Sequence, residues 1–493
     1  MIEFELKLEI PASRLPGVLA AMREGKIRRK RLLARYFDTQ EESLARHGIV
    51  VRLRQEGRAW VQTAKCAGEG PLQRLEHNVL LAALPGGAAP DVSLARHADT
   101  PVGEKIAQAL EVDDLEQAPV LLPRFETDVQ RLTRRIEESG SVIEVALDRG
   151  KVRAVTAQSA LCEVEFELLE GEPVAAVRLA RQWLATHGLW LSTTSKSAKG
   201  HRLAAGDSFG PAVNAASPRL RRRDSRAEIG VAVIRACLDQ VLGNASEIGA
   251  GSADAEHIHQ LRVGVRRLRT ALRELPGLAA VADPAWETAL VEVFRSLGRH
   301  RDHSYLVCDA QPQLEAQGGP AVDVGQPQDL PDPAATVQSP AFQDALLGLL
   351  EFTHSDLPKR KASSGKVLPA LRRSLKKLHG QVCKDGARFQ QLDPVRQHRV
   401  RKRLKRLRYL AEFVAPLFPA RKGREFITAL KPVQDALGLF NDEQTALQAY
   451  RGLAERDPAA WFGVGCFTAR RPANAAQCQR ELEKLAKAKP FWL

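Results

Sequence analysis

Two patterns of hydrophobic and polar residues divide the chain. From Met1 to about Ala205 apolar residues mostly alternate with polar ones, as in "EFELKLEI", "IVVRLRQ" and "LCEVEFELL", which predicts β-strands because side chains along a strand point to opposite faces in turn. After the Gly-, Ser- and Pro-rich stretch "AAGDSFGPAVNAASPRLRRRDS", apolar residues recur at helical spacing. We therefore predict an α+β multidomain protein, with a β-rich domain over residues 1–203, a linker over 204–222 and an all-helical domain over 223–493.

Charges of opposite sign occupy the polar faces of different strands. Carboxylates dominate the first strand and the strand near residue 165, whereas cations dominate others. For a single strand the ordinary explanation is a solvated face, but this segregation over the whole set favours a closed antiparallel barrel, or tunnel, with a polar interior and flanking helices. Such an interior suits a phosphate-metal site, because hard Mg²⁺ or Mn²⁺ binds carboxylate oxygens and Arg or Lys binds phosphate oxygens.

The helical half contains an internal repeat. "HQLRVGVRRLR" begins at His259 and "HRVRKRLKRLR" at His398, an offset of 398 − 259 = 139 residues. "LGRHRD" at Leu297 and "LGLFND" at Leu437 have nearly the same offset, 437 − 297 = 140. We therefore predict a duplicated helical bundle, with an inserted loop near 312–340.

Each repeat begins with a helix that carries one apolar and one basic stripe. At 100° per residue, the cations that follow each histidine share one face, and the leucines and valines share the adjoining face. A basic helix face is usually just solvated. Here no acidic residue lies between Arg396 and Arg408, so we expect no neutralising i,i+4 partners, and the stripe recurs in both repeats. Both observations favour an anionic partner.

Composition supports a polyanionic ligand. The 493 residues carry a formal net charge of +14, whereas aromatic residues make up only 5%, which disfavours nucleic-acid binding by base stacking. No run approaches the ~20 apolar residues of a membrane span, and the N-terminus does not resemble a signal peptide. The seven cysteines show neither disulfide nor zinc-ligand spacing. We expect a cytoplasmic protein.

The N-terminal motifs resemble, in order and spacing, the CYTH domain of the triphosphate tunnel metalloenzymes. The matching stretches are "EFELK" from Glu3, "YFDT", "RLR", "WVQTAK", "FETDVQR", "EVALDRG", "EVEFE" and "SKSAKG". The resemblance implies a tunnel with a metal-binding and a phosphate-binding side, in which Glu3, Glu5 and Lys7 are catalytic. It implies metal ligation by Glu3, Glu5, Asp148, Glu163 and Glu165, and triphosphate binding by Lys7, Arg52, Arg54, Lys65, Arg131 and Lys196. Arg134 and Arg135 compete with Arg131 for its role.

The helical repeats resemble the CHAD domain, a pair of helical bundles that binds inorganic polyphosphate. The resemblance rests on HxxRVxxRRLR at His259, on HxxRxxxKRLRY at His398 and on the following "LGRHRD" and "LGLFND". The implied polyphosphate contacts are His259, Arg262, Arg266, Arg269, His398, Arg401, Lys405 and Arg408, with Arg267, Arg406 and Tyr409 as further candidates. Glu412 stands where the first stripe has Arg273, so the two halves of the cleft are expected to differ.

The two resemblances together favour a triphosphatase that hydrolyses inorganic triphosphate with Mg²⁺ or Mn²⁺ and binds polyphosphate, free in the cytoplasm or at polyphosphate granules. Three alternatives stay open: a non-enzymatic polyphosphate scaffold, a hydrolase of an organic triphosphate such as thiamine triphosphate, and a nucleic-acid binder, which the composition disfavours.

Overall fold

The computed structural model describes residues 2–68, 72–82, 88–278, 282–325, 330–355 and 364–493. Its strands are β1 (Ile2–Glu9), β2 (Arg28–Asp38), β3 (Ile49–Glu56), β4 (Ala59–Ala67), β5 (Gln73–Leu81), β6 (Leu122–Glu138), β7 (Ser141–Arg153), β8 (Gln158–Glu170) and β9 (Trp190–Leu191). These nine strands form one antiparallel sheet in the order β5-β4-β3-β2-β6-β7-β8-β1-β9. Pairing of β1 with β5 closes the first eight strands into a barrel. The predicted closed antiparallel tunnel is confirmed.

The alternation of the first strand follows from this closure. Phe4, Leu6 and Leu8 are buried on the outer face of the barrel, while Glu3, Glu5 and Lys7 line its interior. The helices around the barrel are α1 (Leu15–Met22), α2 (Ser43–Arg46), α3 (Pro101–Leu110), α4 (Pro173–His187) and α5 (Lys196–Ala205). Helix α4 packs on β1 and β8, so the apolar outer face is shielded from water.

Two segments distant in sequence belong to the same compact unit as the barrel. This unit comprises residues 1–213, 242–252 and 337–355. Within it, Arg181 of α4 pairs with Asp344, and the backbone nitrogen of Leu191 donates to Gln343 Oε1 at 2.7 Å. Both partners lie on α11 (Pro340–His354), which packs against α4. The sequence did not predict these two insertions, and the boundaries at 203 and 222 stay a prediction.

The second unit comprises residues 214–241, 253–336 and 356–493. The helices that begin after the coil at 206–225 are α6 (Arg226–Gly249), α7 (Ala255–Glu274), α8 (Pro284–Tyr305), α9 (Gln311–Glu315), α10 (Pro333–Val337), α12 (Ser364–Gly386), α13 (Pro394–Val414), α14 (Ala420–Leu453) and α15 (Trp461–Lys487). The C-terminal part of α6 and all of α11 belong to the first unit. The predicted helical region is confirmed. Residues 326–329 of the predicted loop lie outside the described residues.

Helices α7 and α13 begin and pack in the same way. Asp254 and Asp393 each cap a helix N-terminus by accepting a hydrogen bond from a backbone nitrogen of the first turn. The predicted apolar stripes are buried in both helices: Leu261, Val265, Leu268 and Leu272 in α7, and Val400, Leu404, Leu407 and Ala411 in α13. The two helices contact each other. Among the residues described, no helix combines the length and apolar character that crossing a bilayer requires.

Candidate functional site

The barrel encloses a cavity of about 960 Å³ whose wall is rich in charge. Every strand from β1 to β8 contributes to this wall. The predicted tunnel residues that line it are Glu3, Glu5, Lys7, Arg52, Arg54, Lys65, Arg131, Asp148, Glu165 and Lys196. Glu163 is fully buried beside them. The fold therefore brings the whole predicted set together, while the roles of the individual residues stay predictions.

Three carboxylates on β7 and β8 form one compact cluster. Asp148 and Glu163 are paired in register, and Glu165 follows on the same face of β8. One oxygen of each carboxylate lies within 4.8 Å of the others. The ammonium of Lys196 lies 2.7 Å from both Asp148 and Glu163 and also contacts Glu165. A cation already occupies the centre of this cluster, so its geometry is that of a cation site.

Helix α5 delivers Lys196 to this cluster. Ser195 caps the helix by accepting from the backbone nitrogen of Ala198, which places Lys196 at the first helical position. A Cβ at Gly200 would lie only 2.1 Å from the Phe125 ring of β6, so the glycine allows α5 to approach the barrel closely. One turn further on, Lys199 donates to Glu9 at 2.6 Å and to Glu163 at 2.9 Å.

Arg131 is the arginine of its strand that enters the cavity. Its guanidinium binds both oxygens of Asp148, at 2.7 and 2.6 Å, and contacts Glu165. Burial disfavours its charge, but the two carboxylates more than compensate and raise its pKa well above the usual value. Arg134 instead donates to the carbonyl of Ala21, and Arg135 lies 3.9 Å from Glu144.

Glu3 belongs to a second acidic group on the opposite side of β1. Lys65 Nζ lies 2.7 Å from Glu3 and 2.7 Å from Glu76 of β5. Burial raises the pKa of Glu3 to about 7, whereas attraction by Lys65 and a hydrogen bond from Glu3 overcome burial and lower the pKa of Glu76 to about 2. Below about pH 7 the pair therefore holds one proton, on Glu3, which donates it to Glu76. Glu76 was missed by the sequence reasoning, although "QRLEHN" places Arg74, Glu76 and Asn78 on one strand face.

Glu5 lies between these two acidic groups. Its side chain forms no ion pair with any described residue. Burial, together with repulsion from Glu165 and Glu3, raises its pKa well above the usual value. Because its charged form is strongly disfavoured, an additional cation bound beside Glu5 would stabilise that form more than it would an already paired carboxylate.

The opposite wall presents cations with unused hydrogen-bonding capacity. Arg52 and Arg54 follow each other on the inner face of β3, and the Nε atom of each is buried without a hydrogen-bond partner among the described residues. Arg52 Nη1 donates to the hydroxyl of Tyr36 at 3.5 Å, and Tyr36 in turn stacks on Phe125 with ring centroids 4.4 Å apart. The wall therefore suits an anion with many acceptor oxygens.

Lys7, the basic residue of β1, is deeply buried. Only 7% of the residue is exposed, and its Nζ lies 3.7 Å from Glu163. Burial, with repulsion from Lys199 and Lys196, lowers its pKa. Lys199, absent from the predicted set, could have been found in "SKSAKG", because it lies one helical turn after Lys196.

The second candidate site is the surface shared by the basic stripes of α7 and α13. Arg262 and Arg266 stand over the ring of Phe294, at 4.5 and 4.9 Å from its centroid. Arg262 and Arg401 each donate to a backbone carbonyl, of Phe294 and Leu437. Lys405 forms no ion pair with a described residue. Burial and repulsion by Arg266, Arg401 and Arg408 lower its pKa to about 7. Repulsion by Arg266 of α7 acts on both Arg401 and Lys405 of α13, so the two stripes converge.

One sequence-based expectation about these stripes was wrong. Arg408 Nε pairs at 2.5 Å with Glu412, an i,i+4 partner just beyond the basic run. Acidic residues on other elements neutralise further arginines: Arg269 with Glu287, Arg403 with Asp385 and Arg406 with Glu274. These carboxylates come from other helices or from beyond the counted run. Arg266 and Lys405 form no ion pair with a described residue, and Arg262 and Arg401 have only backbone carbonyls as partners.

His259 and His398 begin the two stripes at equivalent places. Burial lowers the pKa of both imidazoles, and cations nearby add to this effect. Within the described part of the chain, the acidic cluster of Asp148, Glu163 and Glu165 is the group that meets metal-ligand spacing, and neither histidine belongs to it.

Comparison with known families matches both halves of the chain. The CYTH domain profile matches residues 1–201 and the CHAD domain profile residues 232–451. The chain contains a CYTH domain and a CHAD domain. The curated inorganic triphosphatase of Haemophilus influenzae is 29% identical over 209 residues, which are 41% of this chain and 54% of that protein. The match thus spans about half the length of this curated relative.

Solved structures resemble each domain separately. The CHAD domain from the plant Ricinus communis is 27% identical, covers 55% of this chain and 96% of its own, and gives a TM-score of 0.47. A Hippeastrum protein described as having a dominant triphosphatase activity is 17% identical, covers 42% of this chain and 97% of its own, and gives a TM-score of 0.30. Because both scores are low, the domain assignment rests on the family profiles.

Proposed function

We propose that the CYTH domain hydrolyses inorganic triphosphate to pyrophosphate and phosphate, and that the CHAD domain binds inorganic polyphosphate. The observation that carries the first part is one cavity inside the closed barrel in which a carboxylate cluster faces a wall of cations. The inorganic triphosphatase among the relatives supports the same substrate.

The carboxylate cluster fits a divalent metal ion. Asp148, Glu163 and Glu165 offer hard oxygen ligands within 4.8 Å of one another, as Mg²⁺ or Mn²⁺ requires, and they already bind one cation, the Lys196 ammonium. Glu5 and Glu3 extend the acidic surface beside them. When bound, such an ion supplies positive charge to the phosphate oxygens and activates water for attack.

The side chains of the opposite wall bind and orient the triphosphate. Arg52 and Arg54 offer unpartnered N–H groups, and Arg guanidinium groups bind phosphate oxygens in pairs. Lys196 lines the same cavity and would bind phosphate if a metal ion took its place beside the carboxylates. Lys7 stabilises the negative charge that develops on the leaving group as the P–O–P bond breaks and the water oxygen bonds to phosphorus.

The cavity wall favours an inorganic over an organic triphosphate. Among the described residues that line it, Tyr36 and His77 are the aromatic ones, and Tyr36 is already stacked on Phe125. A thiazole, pyrimidine or purine ring therefore finds little surface on which to stack. The test compares kcat/KM for inorganic triphosphate, thiamine triphosphate and ATP. We expect inorganic triphosphate to be preferred by at least about tenfold, a difference of about 1.4 kcal/mol. Equal or better turnover of thiamine triphosphate would assign the organic substrate.

The converging stripes of the CHAD domain support polyphosphate as the second ligand. Arg266 and Lys405 present charge that no described carboxylate neutralises, and a flexible chain of phosphates can approach both at once. The test is competition binding with labelled polyphosphate. We expect unlabelled polyphosphate to displace it far better than single-stranded DNA of equal charge does. If DNA competes equally, the site is a general polyanion surface. Association with polyphosphate granules would follow from this binding, and the protein would be a scaffold alone if the cavity proved inactive.

A further inference from the structure

The two CHAD repeats differ at a point where one half has lost an ion pair. With the offset of 139 residues, Arg267 corresponds to Arg406, and Phe413 corresponds to Glu274. Arg406 pairs with Glu274 at 2.8 Å. At the equivalent place in the other half, Arg267 faces the ring of Phe413, 5.2 Å from its centroid. An aromatic ring has therefore replaced the carboxylate partner.

A second carboxylate is missing in the same half. With the offset of 140 residues that holds for α8 and α14, Glu287 corresponds to Ile427. Arg269 pairs with Glu287 at 2.7 Å, but its counterpart Arg408 has Ile427 at this position and turns to Glu412 instead. Two substitutions thus remove carboxylates from one side of the pseudo-symmetric domain, while Glu412 in place of Arg273 adds one there.

A cavity of about 490 Å³ lies on this side. Its wall includes Arg267, Arg408 and Arg424, together with Ile427 and the single carboxylate Glu412. Three cations against one anion leave an excess positive charge. Pockets of this volume lie within the range that binds small ligands.

Arg267 is the unusual member of this wall. Only 4% of the residue is exposed, and it forms no ion pair with a described residue. Its Nη2 donates to the carbonyl of Ala216 at 2.9 Å, but its Nε has no hydrogen-bond partner there. Fixing the segment around Ala216 explains the Nη2 hydrogen bond. It explains neither the exposed Arg424 on α14 nor the presence of Ile427 where the other repeat has Glu287, whereas an external anion explains both.

We infer that this cavity binds a phosphate or diphosphate group, at a site that shares Arg408 with the basic stripe of α13 but includes neither Arg266 nor Lys405. Planar guanidinium groups bind phosphate oxygens in pairs, and three of them around one cavity favour a compact dianion over a monoanion. Glu412, which is held by Arg408, reduces the excess charge without cancelling it. The inference does not depend on hydrolysis in the barrel.

The test uses calorimetric titration of the full chain with inorganic pyrophosphate, without metal. Arg52→Gln, Arg266→Gln and Lys405→Gln form a common background that weakens the other two anion sites. In this background we expect saturable binding of one pyrophosphate, weakened by salt. Ile427→Glu restores the carboxylate of the other repeat and should weaken binding by about tenfold or more, whereas the uncharged Ile427→Gln should change it by less than about threefold.

An exposed pair of arginines on α14 gives a second comparison that does not disturb the core. Arg424→Gln should weaken binding by about fivefold, while Arg421→Gln, whose exposed side chain pairs with Glu425 outside the cavity, should not. Titration with inorganic phosphate then shows whether one phosphate group is sufficient. Absence of saturable binding in the background would overturn the inference, and so would equal affinities of the Glu and Gln variants at 427 together with no effect of Arg424→Gln.

Discussion

Lys405 should make polyphosphate binding depend on pH above neutrality. In the free protein, burial and repulsion by Arg266, Arg401 and Arg408 lower the pKa of Lys405 to about 7. Phosphate oxygens bound at the stripes stabilise the protonated form of Lys405, so its pKa returns toward the ordinary value of 10.5. Binding therefore takes up a proton whenever the free lysine is neutral.

The sign and size of the effect follow from this shift. Because the protonated form binds, affinity is constant well below pH 7 and falls as the pH rises through the pKa of the free protein. Linkage gives a loss of about fivefold between about pH 7 and about pH 8, approaching about tenfold per pH unit above that.

Other groups that face the site titrate elsewhere or not at all. The pKa values of His259 and His398 are lowered below 6.5, so they change charge at lower pH. The remaining charged groups around Lys405 and its neighbours are Arg401, Arg408 and Glu412 on its own helix, Arg262 and Arg266 on α7, Arg301 and Asp302 on α8, and Asp442 on α14. Measurements above neutrality therefore isolate Lys405.

The assay is titration with long-chain polyphosphate, whose interior phosphates do not change charge near neutrality. Calorimetry in two buffers of different ionisation enthalpy also counts the protons taken up. Lys405→Arg keeps the positive charge and should remove the pH dependence, whereas Lys402→Arg, an exposed site on the same helix, should leave it unchanged. Equal pH dependence in the wild type and in Lys405→Arg would refute the reasoning.

Three further predictions concern the two sites and the core. Glu5→Gln should abolish phosphate release from triphosphate. The affinity for polyphosphate should stay within about twofold, because the cavity and the basic stripes belong to separate domains. Loss of both activities would indicate misfolding. Arg266→Ala combined with Lys405→Ala should leave triphosphate hydrolysis intact and weaken polyphosphate binding by at least about tenfold, as measured by competition. Unchanged affinity would mean that polyphosphate binds at another surface. Phe166→Ala, at a fully buried position of β8, should lower the free energy of unfolding in urea by about 3–5 kcal/mol, whereas Val155→Ala, at a 98% exposed position, should change it by less than about 0.5 kcal/mol.

The sequence predicted the barrel because period-two alternation specifies which face of each strand is apolar. It placed Glu3 and Lys65 in one cavity for the same reason. It could not choose among Arg131, Arg134 and Arg135, because the choice depends on the register of β6 against β7, where Arg131 stands opposite Asp148.

Contacts between distant elements lay beyond the sequence patterns. Counting acidic residues along one helix overlooked Glu287, Asp385 and Glu274, since they reach the basic stripes from other elements or from the end of the partner helix. The placement of α11 on α4 was also missed, because an apolar helix stripe does not specify which surface it covers.

The most direct test of the account measures phosphate release from inorganic triphosphate by the purified full chain with Mg²⁺, Mn²⁺ or EDTA. The wild type is compared with Glu165→Gln, which removes one carboxylate of the cation cluster, and with Glu126→Gln, a matched change at a half-exposed glutamate that does not line the cavity. We expect release that requires metal, is lost with EDTA and in Glu165→Gln, and persists in Glu126→Gln. Undiminished release in EDTA, or in Glu165→Gln, would contradict this expectation.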